Sequence, residues 1–109
     1  MILTTIKDTK LNVYTPPMPF NTKEEAIRTI KSNIAQFPYS NLAINASEYE
    51  LWTCAEFNNE KGTIEQYDEL VISKKEFQNI VNEMHNKSRK SIYQVNQVEG
   101  VLDYDFNNN

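Results

Sequence analysis

Ten residues from Glu48 to Phe57 alternate in a way that suits only an extended chain. Tyr49, Leu51, Thr53, Ala55 and Phe57 fall on one side of it, and Glu48, Glu50, Trp52, Cys54 and Glu56 on the other. Asn58-Asn59-Glu60-Lys61-Gly62 then forms a turn in which Gly62 is free to take a positive φ, and Thr63 to Ile72 returns. The spacing predicts a hairpin over about Glu48 to Ser73. A lone hairpin is marginal in water, so this one must join a larger sheet and lie under a covering layer. The middle of the return stretch, Glu65 to Glu69, alternates poorly, which predicts a bulge or an edge strand.

The covering layer is legible on both sides of the hairpin. A helix is expected from about Asn21 to Phe37. Asn21 with Glu24, and Thr22 with Glu25, each fit a capping box, and the acids suit the positive end of the helix dipole. Ile27, Ile30, Ile34 and Phe37 recur at helical steps as its buried face, Arg28 and Lys31 lie off that face, and Pro38 ends it. Ser73 with Glu76 opens a second helix, where Phe77, Ile80, Val81 and Met84 keep the i, i+3, i+4, i+7 spacing to about Lys87. Tyr39 to Ser47 is polar and asparagine-rich and is expected to be a loop.

At the start, Ile2, Thr4 and Ile6 alternate with Leu3, Thr5 and Lys7 as a β-branched strand. Asp8-Thr9-Lys10 is a turn, and Leu11, Val13 and Tyr14 make a second strand stopped by Pro16, Pro17 and Pro19. The expected fold class is α+β, ordered ββαββα, with a four-stranded antiparallel sheet and two helices on one face. One domain is expected over residues 1–98, followed by a flexible acidic tail over 99–109.

Charge narrows the function classes. The formal net charge is −4, whereas a general nucleic-acid coat is normally basic, because phosphate neutralisation supplies most of its affinity. The charge is uneven. Residues 1–47 carry +2, residues 48–72 carry −6 with seven acids and one lysine, residues 73–98 carry +3, and residues 99–109 carry −3. The abundance of asparagine, isoleucine and lysine (14, 10 and 9 residues) fits a genome rich in A and T. One cysteine excludes an internal disulfide and suits a reducing compartment. Met1 to Lys7 lacks the features of a secretory signal, and no run approaches the roughly 20 apolar residues of a membrane helix, so no membrane partner is expected.

No motif for catalysis stands out, and neither enzyme activity nor a cofactor or metal is expected. His85 is the single histidine and reads as a surface or half-packed residue. Cys54 sits in a strand with no nucleophile signature around it. Glu48 and Glu50 share a strand face as solvated acids rather than a hydrolase pair. Two glycines cannot make a phosphate-cradling loop. Binding is the better fit. Lys7, Lys10 and Tyr14 in the first hairpin, with Arg28 and Lys31 on the helix, combine cations with an aromatic ring, the chemistry that grips single strands. Lys87, Arg89 and Lys90 form a second basic group. Trp52 has three fates open to it: packing under a helix, stacking a base, or meeting a partner. With Glu50 and Glu56 it marks the acidic hairpin as a surface for a basic protein.

The helix-to-hairpin stretch carries a resemblance. Its residues are Lys7-Asp8, Tyr14-Thr15-Pro16-Pro17, Glu24-Glu25-Ala26-Ile27-Arg28, then Glu48-Tyr49-Glu50-Leu51-Trp52-Thr53-Cys54-Ala55-Glu56-Phe57-Asn58, closing at Gly62-Thr63-Ile64. Over about residues 1–72 this series resembles the small nonstructural DNA-binding protein of gokushoviruses, which belong to the Microviridae. That family usually has glycine where Ala55 stands and aspartate where Asn58 stands, and the second helix and acidic tail extend beyond its short form. The resemblance implies a bacteriophage protein made in the host bacterial cytoplasm and absent from the virion. It further implies binding to single-stranded viral DNA or its replicative form, and a role in switching from genome replication to packaging into procapsids. Phage replication or procapsid proteins are the implied partners. The alternative is an acidic protein-binding module without DNA contact. A homodimer through an exposed edge strand is compatible with either.

Overall fold

The computed structural model describes residues 1–87. Strand β1 (Ile2–Asp8) runs into a turn whose Asn12 takes a φ of 56°, and returns as β2 (Val13–Tyr14) and β3 (Met18–Phe20). Helix α1 (Lys23–Gln36), the short helix α2 (Asn41–Ile44) and a 3-10 turn (Ala46–Glu48) follow. The long hairpin of β4 (Tyr49–Asn58) and β5 (Thr63–Ile72) leads into helix α3, over residues 74–87. The result is an α+β fold with one antiparallel sheet, in which β1 lies between β4 and the β2/β3 edge, and β5 forms the other edge.

Among the described residues the sheet has five strands, where four were expected. β3 was hidden by Pro19, which an edge strand tolerates because it need not donate to a second neighbour. β2 pairs Tyr14 with Lys7, while β3 pairs Met18 with Thr4, so one extra residue is accommodated over Thr15-Pro16-Pro17. Thr15 bridges the gap. Its hydroxyl accepts the Ile6 N–H at 2.9 Å, its own N–H donates to the Ile6 carbonyl at 2.9 Å, and its carbonyl accepts the Thr5 hydroxyl at 2.7 Å. β2 and β3 thus act as one edge strand broken by a bulge.

Helix starts follow the capping chemistry. Thr22 caps α1, its hydroxyl accepting the Glu25 N–H at 3.1 Å, while the Glu25 carboxylate reaches back to the Asn21 N–H at 2.8 Å. At α3 the box is reciprocal: the Ser73 hydroxyl accepts the Glu76 N–H at 3.1 Å, and Glu76 accepts the Ser73 N–H at 2.9 Å. These two bonds hold the Glu76 carboxyl below its ordinary pKa. The buried stripe of α1 is Ala26, Ile30 and Ile34. Ile27 sits at its margin, and Phe37 points to solvent instead of joining the core as expected. The expected loop at 39–47 contains α2 and the 3-10 turn, because Ser40 caps a helical turn and Ala43 and Ala46 are small enough to pack beneath it.

One core joins Ala26, Ile30 and Ile34 of α1, Leu51 and Ile72 of the sheet, and Phe77, Ile80 and Val81 of α3. Both long helices therefore cover the same face. Leu51 and Phe77 are fully buried, as is Thr53, whose hydroxyl finds no partner among the described residues. No described helix is long and apolar enough to cross a membrane.

The expected alternation of β4 holds only as far as Thr53. Thr4 pairs with Thr53 but Leu3 with Ala55, so Cys54 is an extra residue that shifts the register. Ala55 and Phe57, expected beside Leu51, align with Leu3 on the opposite face, and Ala55 is buried outside the main core. β5 is an edge strand with two register shifts against β4, which explains its poor alternation, and its residues Thr63 to Asp68 are all exposed. The turn between β4 and β5 is closed by Asn58, whose side-chain oxygen accepts the Glu60 and Lys61 N–H groups at 3.0 Å, with Gly62 at φ 68°.

Candidate nucleic-acid interface

Residues paired across antiparallel strands share a face. Ile6, Leu51 and Ile72 form such a row on the helix-covered side. The neighbouring rows must point the other way. One is Tyr14, Lys7 and Glu50; the next is Thr5, Trp52 and Leu70. Among the described residues no helix lies over this second face of the sheet.

The side chains there are organised. The Lys7 ammonium stands 5.5 Å from the centroid of the Tyr14 ring, within cation–π range. The Trp52 indole N–H donates to a Glu50 carboxylate oxygen at 3.0 Å. That bond ties the indole to its own strand and limits how the ring can turn. Tyr14 is 56% exposed and Leu70 42%, while Lys7, Glu50 and Trp52 are half-buried. The face therefore offers two aromatic rings, one cation and one carboxylate in two adjacent rows.

The structure divides the basic group expected from the sequence. Lys7 and Tyr14 sit together. Lys10, in the turn after β1, forms an ion pair with Glu48 at 3.2 Å. Arg28 and Lys31 are exposed on the solvent side of α1, turned away from the open sheet face, where Arg28 borders a shallow groove with Thr29, Ser32, Asn33 and Gln36. Lys87 is exposed at the described end of α3, beside a cavity of about 400 Å³ lined by Ile34, Pro38, Ala43, Val81 and Met84. Arg89, Lys90 and the expected acidic tail lie outside the described residues.

The acidic group divides as well. Glu50 and Trp52 belong to the open face, beside Lys7. Glu56 stands on the helix-bearing side, paired with Glu65 beyond the reach of the core. Two like charges directly opposite each other are mildly unfavourable in a sheet. Nearby, Glu69 accepts the Lys23 ammonium and the Tyr67 hydroxyl, each at 2.9 Å. Those hydrogen bonds, Lys23 first, hold its carboxyl low and push Lys23 and Tyr67 up. The groups are exposed, so the link fastens α1 to β5 at small energetic gain.

Other titratable candidates carry less. The Cys54 thiol sits at the bulge, 3.4 Å from the Leu3 carbonyl, without a base beside it among the described residues. His85 is exposed on α3. Among the described residues no group of three or more His, Cys, Asp or Glu side chains is placed to hold a metal. Burial, with Asp8 and Glu48 nearby, pushes the Tyr49 phenol up.

The sequence missed that Glu50 and Trp52 adjoin Lys7 and Tyr14. The only signal for it is the pairing of β1 with β4, which a whole helical crossover separates in the chain.

No curated protein and no solved structure matches the chain. A family model does, over residues 1–89, a span that runs past residue 72 and takes in all of α3. With most of its length and all its described elements inside that match, the chain belongs to the Phage ORF5 protein family and is a bacteriophage protein.

Proposed function

We propose that this phage protein binds single-stranded DNA on the open face of its sheet. The observation that carries the reading is the Lys7–Tyr14 pair, 5.5 Å apart, with Trp52 in the next row. Aromatic rings accept bases of any sequence, and a cation beside them meets the phosphates between. The face is small and its cations few, which suits an accessory factor better than a coat. The gokushovirus resemblance adds the finer role: a nonstructural protein of the host cytoplasm, left out of the particle, that helps turn genome replication towards packaging.

Few cations imply a shallow salt dependence. With Lys7 as the one cation of this face, log affinity for single strands falls against log salt with a slope of about −0.7. Trp52 is the sole tryptophan, so its emission reports binding at this face directly. Titration with oligonucleotides over a range of salt measures both. Unchanged Trp52 emission and no gel shift at low salt would sink the proposal.

A second reading rests on Glu56 facing Glu65 on an exposed ribbon. Such a pair is relieved by a basic partner, and a phage replication or procapsid protein would supply one. Charge reversal at Glu56 and Glu65 abolishes that association and leaves DNA binding intact; loss of DNA binding instead would place the ribbon in the DNA site.

A further inference from the structure

A carboxylate at the centre of a DNA-binding face needs a reason. Glu50 lies directly across from Lys7 and is flanked by Trp52. Facing a phosphate, it would repel the strand it is meant to hold. It is not spent on an ion pair with Lys7, since no such contact falls within bonding distance among the described residues. One of its oxygens accepts the indole N–H of Trp52, and the other has no side-chain or backbone partner among the described residues. What suits an unpaired, half-buried acceptor beside a stacking ring is the donor edge of a base.

We infer that Glu50 is a specificity-determining residue, selecting bases that carry an exocyclic amino group over thymine; this rests on the DNA-binding reading above. The geometry orders the strand. Phosphates pass Lys7, bases lie against Tyr14 and Trp52, and their edges turn to the Glu50 carboxylate. Cytosine and adenine each present an amino group there, and guanine an amino group with an adjacent ring N–H. Thymine presents one N–H between two carbonyl oxygens, which a carboxylate repels. The bond from Trp52 fixes the acceptor in place, so its side chain loses little freedom on binding.

The two pyrimidines make the cleanest test, because both stack weakly and they differ chiefly at this edge. Wild-type protein is titrated with short oligo-dC and oligo-dT at low salt and mildly alkaline pH, with Trp52 emission as the readout. The expected preference for dC is about fivefold to tenfold, the discrimination one good base-edge contact provides. In Glu50→Gln the preference falls to near unity, mainly because dT binds more tightly once the charge is gone. Glutamine still accepts the indole N–H, and matched circular dichroism verifies the fold. A substrate-side test needs no variant: cytosine dimethylated at its exocyclic nitrogen binds the wild type no better than thymine. Equal affinity of the wild type for dC and dT, a preference that survives in Glu50→Gln, or full affinity for the dimethylated base overturns the inference while leaving DNA binding in place. Failure to bind either oligomer overturns the binding reading, and the inference falls with it.

Discussion

The two faces of the sheet are made from the same strands and share almost nothing else. On the covered face, Ile6, Leu51 and Ile72 form a row that two helices seal, and the helix residues of that core are all apolar. On the open face, the adjoining rows hold Lys7, Tyr14, Glu50, Trp52 and Leu70, a mixture no core would accept. Alternation alone writes both lists, one residue apart. The covered face decides whether the chain folds, and the open face is free to be chosen for what it touches. A polar residue such as Glu50 therefore means more on the open face, because folding does not require it there.

That division can be broken most severely from the covered side. Phe77 is fully buried between the helices and the sheet. Phe77→Ala should lower unfolding stability by about 3–5 kcal/mol in a denaturant titration, while the folded fraction keeps the DNA affinity proposed for the open face. A small loss would mean that the helices do not seal this face as described.

The open side should give the reverse pattern. Tyr14→Ala removes an exposed ring and should change stability by less than about 0.5 kcal/mol. Its affinity for single strands should drop by about 1–3 kcal/mol, the contribution of one stacked base. If stability falls and affinity does not, the two faces have been assigned the wrong way round.

The finest test concerns the junction that holds the covering layer on. Ser73→Ala removes the cap of α3 and should cost about 1 kcal/mol. Its acid partner supplies a pH signature. The folded-state pKa of Glu76 lies below the ordinary 4.5, so its contribution is fully present above that value and is lost as pH falls through the folded value. Wild-type stability should therefore decline more steeply than that of Glu76→Gln on acidification below about pH 5, and the two should run parallel at higher pH. Parallel curves throughout would show that the charge on Glu76 adds nothing to the box.

The covered face was the more legible in the sequence. The Thr22–Glu25 and Ser73–Glu76 boxes and the Phe77–Val81 stripe announce their helices locally, and the Glu48–Phe57 alternation announces the hairpin. What escaped was decided by tertiary context. β3 carries a proline at Pro19 and survives because it lies on an edge. Ala43 and Ala46 turn an asparagine-rich stretch into part of the core, and Phe37, at the end of α1, is exposed where a buried residue was expected. The open face was half legible. Lys7 and Tyr14 belong to one local hairpin and could be grouped by eye. Glu50 and Trp52 could not, since nothing in a local window says which strand will lie beside β4. Arg28 and Lys31 look equivalent to Lys7 by residue type, and only the layering puts them on the far side of the molecule.

Cys54 adds a rule about length. As the one extra residue in β4, it acts as a parity switch: upstream of it odd-numbered positions belong to the helices, and downstream to the open side. Related chains can lengthen or shorten the hairpin beyond it by matched pairs of residues and leave every assignment intact. A single insertion or deletion there would carry Glu56 into the apolar patch with Leu3 and send Phe57 to the acidic side. Drift in this family should therefore be counted in twos along the ribbon, with the bulge as the fixed point from which the count begins.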